Sequence, residues 1–224
     1  MKIGQPCAGG FYAGIIDTTR GNIPLFDVYQ KGLRYALIVS SKSLEATMPL
    51  SWTRLPNGGE PEKHCLTRWN GLDATNNMRN ISDYPAFEYV RSLGYAPQHD
   101  NASNWYLPAL DELELLYRYF KPTTCENDDY SYYSRNRSSD DVIKTPYTKK
   151  SPPQTSLSQF RAGGEQALDK PHYWTSSDGG MSIAKAWAAW TQGFTEHVGQ
   201  QYLSFKENTI SIYVRPVRRI YLVN

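Results

Sequence analysis

Apolar side chains recur along this chain at two different spacings, which predicts a domain that mixes strands and helices. Short runs rich in aromatic and β-branched residues, some with strict alternation, are typical of strands. The predicted strands are residues 11–16, 33–39, 173–176, 184–191 and 210–217. In the last of these, Ile210, Ile212 and Val214 share one face because side chains alternate along a strand.

Two segments instead show the three- and four-residue spacing of amphipathic helices. The first begins at Pro85, a residue suited to the first helical position, and ends at Gly94, which suits a C-cap. The second spans about 109–121 and stops before Pro122, because proline disfavours a helical conformation in the residue before it. Its apolar face comprises Leu110, Leu113, Leu116, Tyr117 and Phe120.

Residues 123–156 are dense in Asp, Ser, Asn, Pro and Tyr and show no period. A stretch of this length counts against a compact domain unless it is a long ordered loop that carries function. Its tyrosines have two interpretations, since tyrosine gives a large contact area at low entropic cost but also packs loops onto their own domain. These tyrosines are Tyr130, Tyr132, Tyr133 and Tyr147. Residues 157–168, which follow, are compatible with a short third helix.

The composition excludes several classes of protein. With 24 Lys and Arg against 22 Asp and Glu, the net charge of +2 argues against wholesale nucleic-acid binding. An aromatic share of 13% argues against a disordered chain. No apolar run approaches the roughly 20 residues that span a bilayer. The start, MKIGQPCAGG, has no hydrophobic segment of the kind found in secretory signals, so we expect neither membrane insertion nor export.

Candidate catalytic and metal-binding groups are scattered. The histidines and cysteines are His64, His99, His172, His197, Cys7, Cys65 and Cys125. No HExxH motif, no closely spaced cysteine pair, no nucleophile elbow and no phosphate-binding loop is present. We therefore predict no catalytic residue, no metal and no cofactor, and reduced cysteines. Whether the paired carboxylates Asp128-Asp129 and Asp140-Asp141 hold Ca²⁺ stays open.

A basic cluster lies near the end of the sequence, at Arg215, Arg218 and Arg219. On an alternating strand, Arg215, Val217 and Arg219 share a face while Arg218 points the other way. Such a cluster can bind phosphate or nucleic acid, or it can form salt bridges inside the fold. We expect the salt bridges.

Several short motifs follow one another in the order of a known domain family. The first group is Trp105, Leu107-Pro108, Asp111 to Leu113, Leu115 to Arg118 and Lys121 to Thr124. The second group is Gln154-Thr155, Phe160 to Gly164, Tyr173 to Ser177, Ala186-Trp187 and Val214 to Arg219. Tyr35 to Val39 and Asn70 to Thr75 also match. On these motifs the chain resembles a family of unknown function, with a C-type-lectin-like fold, that is found in phage virion and tail-fibre proteins and in bacterial adhesin tips.

The sequence also departs from this family and from its relatives. Where the family has Thr or Ser after Leu-Pro, this chain has Ala109, so the helix cap must come from elsewhere or be lost at about 1 kcal/mol. The Glu-Pro-Asn, Gln-Pro-Asp and Trp-Asn-Asp motifs of calcium-dependent sugar-binding lectins are missing. Formylglycine-generating oxygenases share the broad fold but use a late pair of cysteines, and no Cys follows Cys125. Both relatives are therefore disfavoured as guides to function.

The resemblance implies an α+β, C-type-lectin-like fold with small mixed or antiparallel sheets, two to three short helices and long irregular loops. It implies a single domain over 1–224, with N-terminal strands in 1–68, the family core in 69–224 and a long loop at about 123–156. The expected core is one buried cluster of Trp105, Leu113, Leu116, Phe120, Trp174, Trp187 and Val214.

The function that the resemblance implies is that of a non-enzymatic phage virion structural protein, such as a tail-fibre or decoration protein. It would be made in the host cytoplasm and lie on the tail or capsid surface. Its partners would be other virion proteins, further copies in a homo-oligomer, and a host surface glycan or protein bound in receptor adhesion. Nucleic acid and membrane insertion are not expected. One alternative is a bacterial surface adhesin tip, which the missing export signal disfavours. The other is a metal-dependent enzyme of the formylglycine-generating type, which the missing late cysteine pair disfavours.

We place the contact surface on the 126–148 loop and on the segment after the Tyr-Trp strand, which comprises Ser177 to Gly180 and Gln192 to Tyr202. Binding groups belong on loops that a rigid frame positions. The 126–148 loop concentrates tyrosines, and the second segment departs from the family pattern while the strands beside it match. The candidate contact residues are Tyr130, Tyr132, Tyr133, Tyr147, Ser177, Asp178, Trp190, Gln192, His197 and Tyr202.

Overall fold

A computed structural model describes residues 1–18, 33–94, 101–128, 147–181 and 187–222. Its strands are β1 (Pro6–Cys7), β2 (Gly10–Asp17), β3 (Arg34–Ser40), β4 (His172–Asp178), β5 (Ala188–Gly193), β6 (Gln201–Phe205), β7 (Ile212–Tyr213) and β8 (Val217–Tyr221). Its helices are α1 (Gly71–Asn77), α2 (Pro85–Ser92) and α3 (Leu110–Phe120). Within these ranges, no helix has the length and apolar character needed to cross a bilayer.

The strands form two four-stranded sheets. The first has the order β1-β2-β3-β8 and is antiparallel, so the C-terminal strand lies beside β3. The second has the order β6-β5-β4-β7, with β7 parallel to β4 and the other pairs antiparallel. The chain is therefore a mixed α+β domain.

Helix α3 supplies the centre of the first hydrophobic cluster. Its residues Leu113, Leu116 and Phe120 pack there with Val39 of the first sheet and Tyr173 of the second. The helix thus connects the inner surfaces of both sheets, as its apolar stripe predicts.

A second cluster lies on the opposite face of the second sheet. Trp52 is fully buried there, with edge-to-face contacts to Tyr84 and Phe87 at ring-centroid distances of 5.7 and 5.1 Å. Trp174 and Val214 complete this cluster from β4 and from the segment before β8.

Three acceptors bind the N–H groups that are left unpaired at the start of α3, where the Ala109 side chain cannot act as a cap. The Glu112 carboxylate accepts from the Ala109 N–H at 2.7 Å, and the Ser177 hydroxyl accepts from the Leu110 N–H at 3.0 Å. The Arg68 carbonyl accepts from the Asp111 N–H at 2.6 Å. The missing hydroxyl cap is thus replaced by the Glu112 side chain of α3 itself and by two tertiary contacts.

Most predicted elements are confirmed, and three differ. The predicted strand 184–191 is observed from Ala188, with Trp187 in a turn before it, while residues 184–186 lie outside the described residues. The predicted strand 210–217 is wrong, because β7 and β8 belong to different sheets and Val214 to Pro216 pass between them. The predicted helix over 157–168 is reduced to a single 3-10 turn at Ser158–Phe160.

The predicted single core is wrong in two respects. Its buried members divide between the two clusters, except for Trp105, which lies under the Arg218 guanidinium at 4.0 Å. Trp187 is 37% exposed, because it precedes β5 at the surface, where its ring lies against the exposed ring of Phe205.

Candidate functional site

The candidate contact residues do not form one surface. Tyr130, Tyr132 and Tyr133 lie outside the described residues. His197 is exposed and Tyr202 is half-buried. The others are buried, and they are Tyr147, Ser177, Asp178, Trp190 and Gln192.

Ser177 and Asp178 are buried and bind other parts of the domain, so they do not lie on an exposed surface. Ser177 caps α3 and donates to the Thr67 carbonyl at 2.6 Å. Asp178 pairs with Lys206 at 2.7 Å, and both side chains are fully buried. Burial raises the pKa of the Asp178 carboxyl, and Lys206 opposes that shift. These groups join β4 to the end of β6 and are not available to a partner.

Tyr147 and Gln192 meet in a buried polar network around Glu114 of α3. Gln192 donates to the Glu114 carboxylate at 2.7 Å, and the Tyr147 hydroxyl donates to the same oxygen. Arg118 binds the other oxygen at 2.6 Å. Burial raises the pKa of Glu114 to about 7, against the opposing effects of Arg118 and the hydrogen bonds. The network therefore contains one carboxyl that titrates near neutral pH.

Because Glu114 titrates within this network, the free energy of unfolding should depend on pH. The folded protein holds the Glu114 proton more tightly than the unfolded chain, whose carboxyl has a pKa of 4.5, so the stability from this group falls as the pH rises between the two values. Glu114→Gln removes the titration. Between about pH 4 and about pH 8, we expect the unfolding free energy of the variant to rise relative to the unchanged protein by on the order of 3 kcal/mol.

Chemical denaturation of both proteins across this pH range measures the difference. The control is Glu88→Gln, because the Glu88 side chain is 47% exposed. If the unfolding free energies of Glu114→Gln and of the unchanged protein change with pH in parallel, Glu114 does not titrate in the folded protein over this range.

The two segments chosen for the contact surface meet in the structure. Asn127 donates to the Thr148 carbonyl at 2.9 Å, so the two ends of segment 129–146 lie together. The Asp128 N–H donates to the Val198 carbonyl at 2.8 Å, which joins these ends to the turn before β6. Segment 129–146 and the turn at 194–200 therefore leave the same end of the domain.

At this end, His172, His197 and Tyr202 form what we call the aromatic cluster. The two imidazole rings are stacked, with centroids 5.8 Å apart and an interplanar angle of 25°. The Tyr202 ring meets them edge-on at 5.4 and 6.0 Å. The cluster thus combines a buried imidazole, an exposed imidazole and a half-buried phenol.

Gly193 allows this arrangement. A Cβ at Gly193 would lie 2.2 Å from the Glu196 carbonyl oxygen and 2.3 Å from that of His197, which no side chain tolerates. The turn can therefore fold back onto the end of β5, between His172 on β4 and Tyr202 on β6. His197 itself has a positive φ of 45°, an uncommon conformation that the turn imposes.

His172 has unused hydrogen-bonding capacity. It is 5% exposed, and neither ring nitrogen has a hydrogen-bond partner among the described residues. Burial lowers the pKa of the imidazole, His197 lowers it further, and Glu196 opposes them. Buried polar groups normally have partners, so this ring can still accept or donate one bond to a ligand.

The aromatic cluster suits recognition by contact. Flat aromatic faces with polar atoms at their edges contact sugar rings and peptide side chains at low entropic cost. Within the described ranges, no three His, Cys, Asp or Glu side chains come together as a metal site would require. Asp129, Asp140 and Asp141, proposed for calcium, lie outside those ranges.

The C-terminal arginines are built into the interior. Arg215 pairs with Glu45 at 3.1 Å, and Arg219 lies 3.6 Å from Glu112. Arg218 stacks over Trp105, on the other face of the strand. All three side chains are buried, which confirms the expected structural role of the pairs and the opposite orientation of Arg218.

Sequence reasoning missed His172 as a member of the site. It stands 25 positions before His197, and no motif spacing links the two. The available signal was Gly193, since a glycine at the end of a strand often marks a close backbone approach. That signal locates the turn but not the residue beneath it.

Comparison with protein-family models, with curated proteins and with solved structures finds no match for this chain. The aromatic cluster and the neighbouring loop ends therefore have to be interpreted from their own chemistry.

Proposed function

We propose that this chain is a non-enzymatic phage virion structural protein of C-type-lectin-like fold that binds a host surface molecule through the aromatic cluster. The proposal places it on the tail or capsid surface, next to other virion proteins. The observation that carries the binding role is the meeting of His172, His197 and Tyr202 beside both ends of segment 129–146.

The distribution of paired and unpaired polar groups among the described residues supports this proposal. The polar groups of the frame, such as the Glu114 network and the Asp178–Lys206 pair, have partners inside the domain. The aromatic cluster instead lies at the end from which a long segment leaves, and it includes a buried imidazole with unused nitrogens. A rigid frame with adaptable groups at one end is typical of binding domains.

The lectin-like part of the proposal has separate support. Two small sheets, three short helices and extended connections are compatible with that fold. The motif residues Trp105, Leu107 and Glu112 lie where α3 begins and are buried, as framework motifs of a family should be. Fold alone does not fix function, so the binding role rests on the cluster.

Substitutions in the cluster test the proposal. We expect Tyr202→Ala and His197→Ala to weaken adsorption of the purified chain to host cells by about tenfold or more, because central aromatic contacts carry about 2 kcal/mol in many interfaces. Adsorption of labelled protein is measured against its concentration, and the melting temperature of each variant is measured in parallel.

Tyr221→Ala is the matched control. Tyr221 is 51% exposed and lies on β8 of the other sheet, so adsorption should not change. Full adsorption by both cluster variants, or an equal loss in Tyr221→Ala, would overturn the assignment. A lower melting temperature with intact adsorption would indicate that the cluster only packs the turn.

A further inference from the structure

The two sheets have four edges, and three of them are protected. β1 is two residues long and contains Pro6, which cannot donate a ladder hydrogen bond. The segment before α3 covers β8, with bridges from Ala102 to Ile220 and from Tyr106 to Val217. These features prevent β1 and β8 from pairing with another chain, which is the protection that edge strands generally need.

The edge at β7 is also covered. The Leu50 N–H donates to the Ile212 carbonyl at 3.1 Å, and the Ala46 N–H donates to the Val214 carbonyl at 3.0 Å. The chain before α1 thus runs along this side of the second sheet.

Along the remaining edge, β6, none of the described residues pairs with the outer side of the strand. The Lys206 N–H donates to the Trp187 carbonyl and the Gly193 N–H donates to the Gln200 carbonyl, so even-numbered residues of β6 pair with β5. By the alternation of an antiparallel ladder, Gln201 and Leu203 direct their backbone groups outward. The next residue on that side, Phe205, already accepts at its carbonyl from the Asn208 N–H at 3.0 Å, so the edge is centred on Leu203. Among the described residues, the backbone of Leu203 has no partner on that side.

The sequence of β6 lacks the usual protection of an open edge. Gln201–Phe205 contains no charge, no proline and no bulge against β5. Phe205 is 67% exposed, and its ring lies 4.7 Å from that of Trp187, which is 37% exposed. An uncharged edge flanked by exposed aromatic rings is suited to pairing with another strand.

We propose that β6 pairs with β6 of a second copy of this chain, antiparallel and centred on Leu203. In that register Leu203 faces its own equivalent, Tyr202 faces Ser204 and Gln201 faces Phe205. The exposed Glu207 would face Gly199, so no like charges oppose each other. A strand that is complementary to itself fits a two-fold interface, in which the same patch serves both subunits.

The pairing would join two sheets into one of eight strands. The two-fold axis is perpendicular to that sheet, so both aromatic clusters lie on the same face. If the proposed function holds, the dimer presents two binding sites to one surface and gains avidity. The pairing itself does not depend on the host ligand.

Sedimentation of the full chain over a range of concentrations tests the interface. We expect a reversible dimer whose Kd rises by about tenfold or more in Leu203→Lys, because the two lysines would face each other across the axis. Tyr221→Lys is the control, since it adds the same charge on the other sheet and should leave Kd unchanged.

Amide hydrogen exchange gives a second measurement that does not rely on the variant. The Leu203 amide should exchange rapidly in dilute protein and more slowly as the dimer forms.

A monomer at every concentration, or a dimer unaffected by Leu203→Lys with a fast Leu203 amide, would overturn the proposal. Protection of Leu203 only when another virion protein is added would replace the second copy by that partner. If the unchanged chain forms this dimer but does not adsorb to host cells, the result would count against the proposed function alone.

Discussion

Glu112→Leu should lower the free energy of unfolding by about 3–5 kcal/mol, because it leaves a buried charge without its partner. The Glu112 carboxylate accepts from the hydroxyls of Tyr35 and Tyr106 at 2.5 and 2.8 Å and from the Gly71 N–H at 3.2 Å. Arg219 lies 3.6 Å away and is 1% exposed. One side chain on α3 therefore holds strands of the first sheet and the start of α1 together.

Equilibrium denaturation in urea measures this loss. Glu88→Leu makes the same substitution on the surface of α2, where the side chain is 47% exposed, and should change stability by about 0.5 kcal/mol or less. If Glu112→Leu does not fold, Glu112→Gln keeps the shape and one acceptor oxygen and should show an intermediate loss. A Gln variant that matches the unchanged protein in stability would show that the charge contributes nothing.

Elements with a local signal could be predicted from the sequence. The apolar stripe of α3 and the Pro85 start of α2 depend on residues within a few positions of one another, and both helices are where the periodicity puts them. Helix α1 was missed because its seven residues are mostly polar. Its one clear signal is Asn70, whose side chain accepts from the Asp73 N–H at 3.1 Å as an N-cap.

The break between strands β7 and β8 could not be predicted from the sequence, because it depends on tertiary contacts. The alternation of Ile210, Ile212 and Val214 indicates one strand, but Pro216 has no N–H for a ladder. Arg215 is also held by the Ser40 carbonyl at 2.9 Å and by Glu45. The chain therefore leaves one sheet and enters the other within three residues.

The contact residues of the candidate site were also hard to predict from the sequence, because their surroundings depend on tertiary contacts. Asp178 and Gln192 have the polar character of contact residues, yet each is paired inside the domain with a residue far away in sequence. Residue type cannot separate a buried polar network from a binding surface, since both use the same side chains. His197 and Tyr202 were included for their position in a segment outside the family pattern, and the structure brings them together with His172.

Two tryptophans of the expected core should behave differently, and the larger effect belongs to Trp174. It is fully buried against the second cluster and donates to the Leu50 carbonyl at 2.6 Å, so Trp174→Ala should cost about 3–5 kcal/mol. Trp187 is 37% exposed and its ring lies against the exposed Phe205 ring, so Trp187→Ala should cost about 1 kcal/mol or less. Both substitutions remove the same side chain, which makes each the control for the other in one denaturation series. Equal losses would mean that Trp187 supports the frame as Trp174 does, and that the flank of β6 is not free for a partner.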